Sequence, residues 1–295
     1  MNMTTDTFKL LPVDLIVFFG FIGAVVAVGM LKSRHEEDSE SYFLAGRGLS
    51  WWLIGISLIA ANISTEQFIG MSGSAANWLG LAIASYEWMA AITLVVVAFV
   101  FLPLFLRAGI YTIPEYMEVR YNHHARMMMG LFMVVIYTFV TFPAVVYSGA
   151  LTARTLFGYD LGPLSWGIGI VAGIYVAAGG LKACAWADLL QGTALIAGGA
   201  LVVYFAMQAL GIATAETIPA LAAANLPDSA TALQKFTALN ANKLHMVLPA
   251  SDPAIPWTAL VIGLWIPNFY YWGLNQYITQ RTLGSKSLGE GQKGI

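Results

Sequence analysis

Charge is what this sequence has least of. Only 14 Lys+Arg and 16 Asp+Glu occur among 295 residues, 10% of the chain, against about 25% in an average soluble domain. Hydrophobic residues make up 58%. A soluble globule of this size needs a charged, hydrated surface, so an ordinary water-soluble enzyme is excluded. A chain this apolar is not disordered either. The net charge of -2 comes with no basic stripe, which excludes nucleic acid as a partner. The single cysteine, Cys184, excludes an internal disulfide framework and argues against a Cys-based structural metal site. The four histidines, His35, His123, His124 and His245, lie in charged or polar-flanked stretches and read as surface residues.

What the chain does have is long uncharged runs. A helix rises about 1.5 Å per residue, so about 20 apolar residues cross a hydrocarbon core of about 30 Å. Seven segments qualify: 11–31, 51–72, 79–106, 126–153, 161–179, 187–211 and 254–280. The first is not a signal peptide. It contains Asp14 and is followed by Lys32, Arg34 and the acidic cluster Glu36, Glu37, Asp38 and Glu40, with no small-residue cleavage site. The sequence therefore predicts an all-α integral membrane protein.

The positive-inside rule orients it. With the N-terminus outside, the inside loops carry Lys32, Arg34, Arg47, Arg107, Arg120, Arg126, Lys182, Arg281, Lys286 and Lys293. The outside segments carry Lys9, Arg154, Lys235 and Lys243, two of them in the long loop 212–253. That loop is expected to hold a short amphipathic helix near 229–242. The connector after 107 predicts another, with Thr112 as N-cap and Pro114 in the first turn. The final "SLGEGQKGI" leads toward what reads as an eighth span, so the chain is expected to be the first part of a longer protein.

Polar residues inside the spans are costly, about 2.5–3.5 kcal/mol for a mid-helix charge, and should face a cavity or a partner. In "SLIAANISTEQFIGMSGS", Asn62, Ser64, Thr65, Glu66 and Gln67 crowd one stretch before Gly70 and Gly73. Such a stretch is either an unwound segment whose carbonyls line a cavity or bind a cation, or polar glue between helices. Glu87 lies between Tyr86 and Trp88. It suits a hydroxylated solute stacked on an aromatic face, or an internal ion pair. Asp188, after the Gly179-Gly180 break, is a cation waypoint or an interfacial charge. In 254–280, Pro267 removes a backbone donor. Asn268, Asn275 and Gln276 share its turns with Tyr270, Tyr271 and Trp272, which predicts a discontinuous helix lining a solute site. Broken second and seventh spans, five helices apart, are the mark of an inverted repeat.

The runs "YFLAGRGLSWW", "SLIAANISTEQFIGMSGS", "GLAIASYEWMAAITL", "GIYTIPEYMEVRYN", "GGLKACAWADLLQ" and "NFYYWGLNQYITQRTLGSKS" closely resemble bacterial sodium/galactose symporters of the sodium:solute symporter family. The resemblance implies a five-plus-five inverted-repeat, LeuT-like fold with one extra N-terminal helix. Residues 1–50 would be that helix and its inside loop, 51–211 the first repeat, 212–253 an external loop, and 254–295 the first helix of the second repeat. It implies sodium held partly by the backbone carbonyls of Ala60 and Ile63, with Asp188 on its exit path. It implies sugar contacts from Gln67, Glu87 and Asn268, with Tyr271 covering the sugar from the inner side and Asn62 holding Tyr271. Ala90 stands where the relatives carry a serine near the sugar, one hydrogen bond fewer. The family's remaining sodium and sugar ligands match no position up to Ile295.

The expected function is sodium-coupled symport of galactose or glucose by alternating access in a bacterial inner membrane. No covalent chemistry, cofactor or obligate protein partner is expected, and the partners are sugar, sodium and lipid. Alternatives are another solute (inositol, sialic acid or an amino acid) or a membrane fragment that does not transport.

Overall fold

The computed structural model describes residues 11–33, 38–224, 226–227 and 229–295. His35, Lys9 and Arg34 lie outside them. Among the described residues the chain is mostly helical and forms no strand, only two isolated bridges. Four helical stretches are long and apolar enough to cross a membrane: α1 (Pro12–Lys32), α4 (Glu66–Ala108), α6 (His123–Phe157) and α7 (Leu161–Ile212). The other elements used below are α2 (Ser39–Leu44), α3 (Trp51–Asn62) and α5 (Ile113–Arg120). They are joined by α8 (Ala232–Leu239), and by the consecutive turns Ala259–Gly263, Trp265–Phe269 and Tyr270–Leu274, together α9. The chain closes with α10 (Gln276–Leu283) and α11 (Leu288–Gly294).

Two of the long stretches turn sharply at a glycine. Gly80 has φ 61° and ψ −146°, and Gly180 has φ 55° and ψ −161°. Both angles lie where a Cβ clashes with its own backbone, so glycine alone is comfortable there. At Gly80 an added Cβ would also run into the Lys243 carbonyl. The expected boundaries near 79 and 180 thus appear as turns inside α4 and α7.

Wide turns precede two prolines. Val97–Phe101 comes just before Pro103, and Tyr137–Thr141 just before Pro143. A proline ring clashes with the carbonyl four residues back, and an extra residue in the turn gives it room. Pro267 lies inside the helical turn Trp265–Phe269. The interruption of this segment falls instead at Asn275, with φ −76° and ψ 119°. The break expected around Pro267 is therefore displaced by two turns.

The core sits where these elements cross. Leu53, Ile54 and Leu58 of α3 pack on Ala90 and Val97 of α4, Leu181 and Ala185 of α7, Trp272 of α9 and Ile278 of α10. Outward faces are apolar and uncovered, as at Phe139, Trp166 and Ile266. In water that pattern would be unstable, but a lipid-facing surface requires it. The chain's end is tied to the start of α3. The Leu49 N–H donates to the Gly284 carbonyl at 3.0 Å, the Lys286 N–H to the Leu49 carbonyl at 3.0 Å, and the Trp51 N–H to Glu290 Oε2 at 2.8 Å.

The expected loop helix is present as α8. Its Lys235 is buried, not solvated. Lys235 Nζ donates to the Gly211 and Ala213 carbonyls at 2.8 and 2.7 Å, filling acceptors left open at the end of α7. Thr112 stands at the N-cap of α5, and Glu115 Oε2 accepts from the Tyr111 N–H at 2.7 Å.

Candidate functional site

Helix α3 stops at Asn62, and Ile63 is extended, with φ −86° and ψ 118°. The following residues then satisfy one another. The Ser64 N–H and hydroxyl donate to Gln67 Oε1 at 2.8 and 2.9 Å, and the Glu66 N–H donates to Ser64 Oγ at 3.1 Å. In an unbroken helix those N–H groups would bond to Ala60 and Asn62. Turning them to side chains leaves the Ala60 and Asn62 carbonyls without those donors. Free carbonyls at membrane depth need a cavity or a cation.

A cavity of about 920 Å³ opens there. Among its lining are Ala60, Asn62, Ile63 and Gln67 from the first break, Glu87 from α4, and Asn268 and Tyr271 from α9. The residues expected from the sequence thus converge on one space, Asp188 excepted. Two carboxylates, Glu66 and Glu87, face it, with the guanidinium of Arg281 at its edge. A smaller cavity of about 370 Å³ shares Ala60 and Ile63 and continues between Phe21 of α1 and Gln191 of α7.

Within the larger cavity the polar groups are only partly engaged. Asn62 Nδ2 donates to Glu87 Oε2 at 3.2 Å. Asn268 is buried, and its Nδ2 donates to the Leu264 carbonyl at 2.9 Å. The Tyr271 hydroxyl accepts from Tyr277 at 3.0 Å. Asn62 and Tyr271, expected to support one another, both line the cavity, and here their side chains bond to Glu87 and Tyr277 respectively. Among the described residues Glu87 forms no ion pair. Such a set of carboxylate, amides and tyrosines can hold a neutral, hydroxyl-rich solute by accepting and donating hydrogen bonds at fixed points.

The second break is held differently. The Tyr137 hydroxyl donates to Asn275 Oδ1 at 2.7 Å and accepts from the Gln276 N–H at 3.0 Å. Gln276 Oε1 accepts from the Ile113 N–H at 2.8 Å. Asn275 lines the cavity, whereas Gln276, expected beside it, anchors the start of α5.

Asp188 lies apart from the cavity lining, on α7, and is 8% exposed. Its carboxylate is engaged by side chains of α3 and α10. Its Oδ2 accepts from Arg281 Nη2 at 2.8 Å, from Arg281 Nε at 3.2 Å and from Ser57 Oγ at 2.5 Å. Arg281, counted from the sequence as a loop cation, is a partly buried residue of α10 that lines the cavity. Ser57, Tyr137, Tyr277 and Arg281 were not singled out by the sequence. The spacing of Tyr277 and Arg281, one turn apart on a short polar helix, was the one available signal.

The chain matches the sodium:solute symporter family over residues 42–295. It is 42% identical over 291 residues to the sodium/glucose cotransporter of Vibrio parahaemolyticus, covering 96% of this chain and 51% of that protein. It is 37% identical to the uncharacterized symporter YidK of Escherichia coli, covering 95% of this chain and 48% of that protein. Its fold is similar to that of a Na+-coupled sialic acid symporter solved in a substrate-bound, outward-open state. There the TM-score is 0.76 at 22% identity, over 97% of this chain and 56% of the other. The chain spans about half the length of the curated relatives it matches.

Proposed function

The chain belongs to the sodium:solute symporter family, and from that premise we propose that the protein couples sodium entry to uptake of a neutral sugar, galactose or glucose, by alternating access. The observation that carries this reading is the shared cavity. One face is the broken end of α3, with its freed carbonyls, and the other carries Glu87, Gln67, Asn268 and Tyr271. Sodium is a hard cation that takes carbonyl oxygens, and Ala60 and Ile63 supply two. Glu87 accepts sugar hydroxyls, Gln67 and Asn268 orient them, and Tyr271 covers the solute from the inner side. The sodium/glucose cotransporters among the relatives support the choice of sugar.

The reading includes seven spans, with α4 and α7 each dividing at its glycine turn and α3 and α9–α10 supplying broken helices. It includes the first repeat at 51–211 and the opening of the second at 254–295, with the N-terminus outside a bacterial inner membrane. Acidic solutes fit less well. Glu66 and Glu87 both face the cavity, and the guanidinium at its edge is already paired with Asp188. A panel of unlabelled competitors against labelled galactose in proteoliposomes tests this. Galactose and glucose are expected to compete, and sialic acid is not. Competition by sialic acid alone would overturn the neutral-sugar assignment.

A further inference from the structure

The first broken helix is held at its two outer ends by charges borrowed from elsewhere. Its inner half, α3, begins at Trp51. Among the described residues Ser50 before it makes no side-chain cap bond, and no acidic residue stands in its first turn. The first N–H groups of a helix have no partner within it. Trp51 finds one 239 positions away, donating to Glu290 Oε2 at 2.8 Å. Glu290 is the third residue of α11, and its own N–H donates to the N-cap Ser287 Oγ at 3.3 Å. A glutamate at that position ordinarily folds back onto the start of its own helix. Here its side chain serves α3 instead. Gly294 brings the two helices into close contact, since an added Cβ there would lie 2.8 Å from Ile54 and 2.9 Å from the Trp51 carbonyl oxygen.

The other half, residues 66–79 at the start of α4, ends at the positive-φ turn of Gly80. The last four carbonyls of a helix are the ones left open. Lys243 Nζ donates to one of them, Ala76, at 2.6 Å from 167 positions away. The Lys243 backbone lies directly against Gly80, where an added Cβ would strike it. Ser85 Oγ donates to the Met246 carbonyl at 3.4 Å and fastens the same loop. An anion thus stands at the N-terminal end of one half and a cation at the C-terminal end of the other. Each sign matches the helix dipole it meets.

The halves carry different parts of the site. α3 ends with Ala60 and Asn62 beside the extended Ile63, and the outer half opens with Glu66 and Gln67. No continuous helix joins them, so neither fixes the position of the other. A helix of 12 residues such as α3 is marginal by itself, and its placement depends on what grips it.

We propose that Glu290 and Lys243 are positioning residues with separate duties: Glu290 holds the half that presents the ion-binding carbonyls, and Lys243 holds the half that presents Gln67 to the solute. This rests on the sodium-coupled sugar reading above and deepens it. Neither residue lines the cavity, so each acts only through the half-helix it caps.

The test is uptake of labelled galactose by the complete protein in proteoliposomes. Two constants are read: the half-maximal sodium concentration at saturating galactose, and galactose KM at saturating sodium. Glu290→Ala is expected to raise the sodium constant about fivefold, within the range of a lost helix cap, and galactose KM by less than about twofold. Lys243→Met keeps the apolar stem and loses the donor. It is expected to give the opposite split, galactose KM up about fivefold and the sodium constant by less than about twofold. Glu290→Gln keeps an acceptor and should recover about half of the sodium shift, and Lys243→Arg keeps the donor and should restore galactose KM. Glu290→Gln carries the test if Glu290→Ala is not produced, with a sodium constant about twofold above wild type. Both constants moving together in either variant, or neither moving in a folded one, would overturn the division of duties. Wild-type protein with no sodium-dependent uptake would instead overturn the transport reading itself.

Discussion

The two helix breaks face the same cavity but are built in opposite ways. At Ile63 the chain turns its N–H groups onto its own side chains, Gln67 and Ser64, and leaves carbonyls behind. At Asn275 the freed groups are taken by partners far along the chain, Tyr137 from α6 and, through Gln276, the start of α5. The first break is locally self-contained and open to a ligand. The second is fastened from outside, by Tyr137 of α6 and the start of α5. Free carbonyls suit a cation, and the fastened break offers it none of the groups named here.

Four changes would break or sharpen this contrast. The largest effect is expected at the solute side of the first break. Glu87→Ala removes the acceptor that meets Asn62 and, on the proposed reading, the sugar. A charged hydrogen bond is worth about 1.5–3 kcal/mol, so galactose uptake should fall by about tenfold to a hundredfold or more, with folding retained. Uptake surviving this change would remove Glu87 from the site. Tyr137→Phe comes next. It strips the second break of its bridge and leaves a buried amide oxygen and an N–H unpaired, at a cost of about 1–3 kcal/mol. A lowered unfolding temperature in detergent, with sugar KM little changed, is expected. The reverse pattern would make Tyr137 part of the solute site.

Ser64→Ala is a smaller perturbation. It removes one partly buried hydroxyl at the first break, worth about 0.5–1.5 kcal/mol. The half-maximal sodium concentration for uptake should rise several-fold while sugar KM moves less. The smallest effect is expected outside the cavity lining, at Glu118 of α5. Its hydrogen bond with Arg126 at 2.6 Å holds its carboxyl below the usual carboxylate range. Any stability it contributes is present above the unfolded-state value and lost as pH falls through the folded one. The group is exposed and screened, so acid unfolding profiles of wild type and Glu118→Gln should superimpose. A clear separation would mean that the loop pair is structural.

Legibility in the sequence followed the range of the interactions. The apolar runs gave the long helices because length and hydropathy are local properties. The first break was legible because its polar residues crowd within six positions, from Asn62 to Gln67. The second was misplaced because Pro267 is the loudest local signal. The break at Asn275 depends on Tyr137, 138 residues away in the chain. The Asp188–Arg281 pair, 93 residues apart, was invisible for the same reason, and a positive charge near a span's end reads as a loop residue. The site residues Gln67, Glu87, Asn268 and Tyr271 were expected from resemblance. Their convergence on one cavity is a property of the fold.

The central claim is that freed carbonyls at the first break and hydroxyl-binding groups across the cavity serve one coupled event. Uptake of labelled galactose into proteoliposomes, under an inward gradient of sodium or of choline at equal ionic strength, tests it most directly. The account predicts accumulation above equilibrium with sodium and simple equilibration at most with choline. Equal accumulation under both gradients, or none under either, would contradict it.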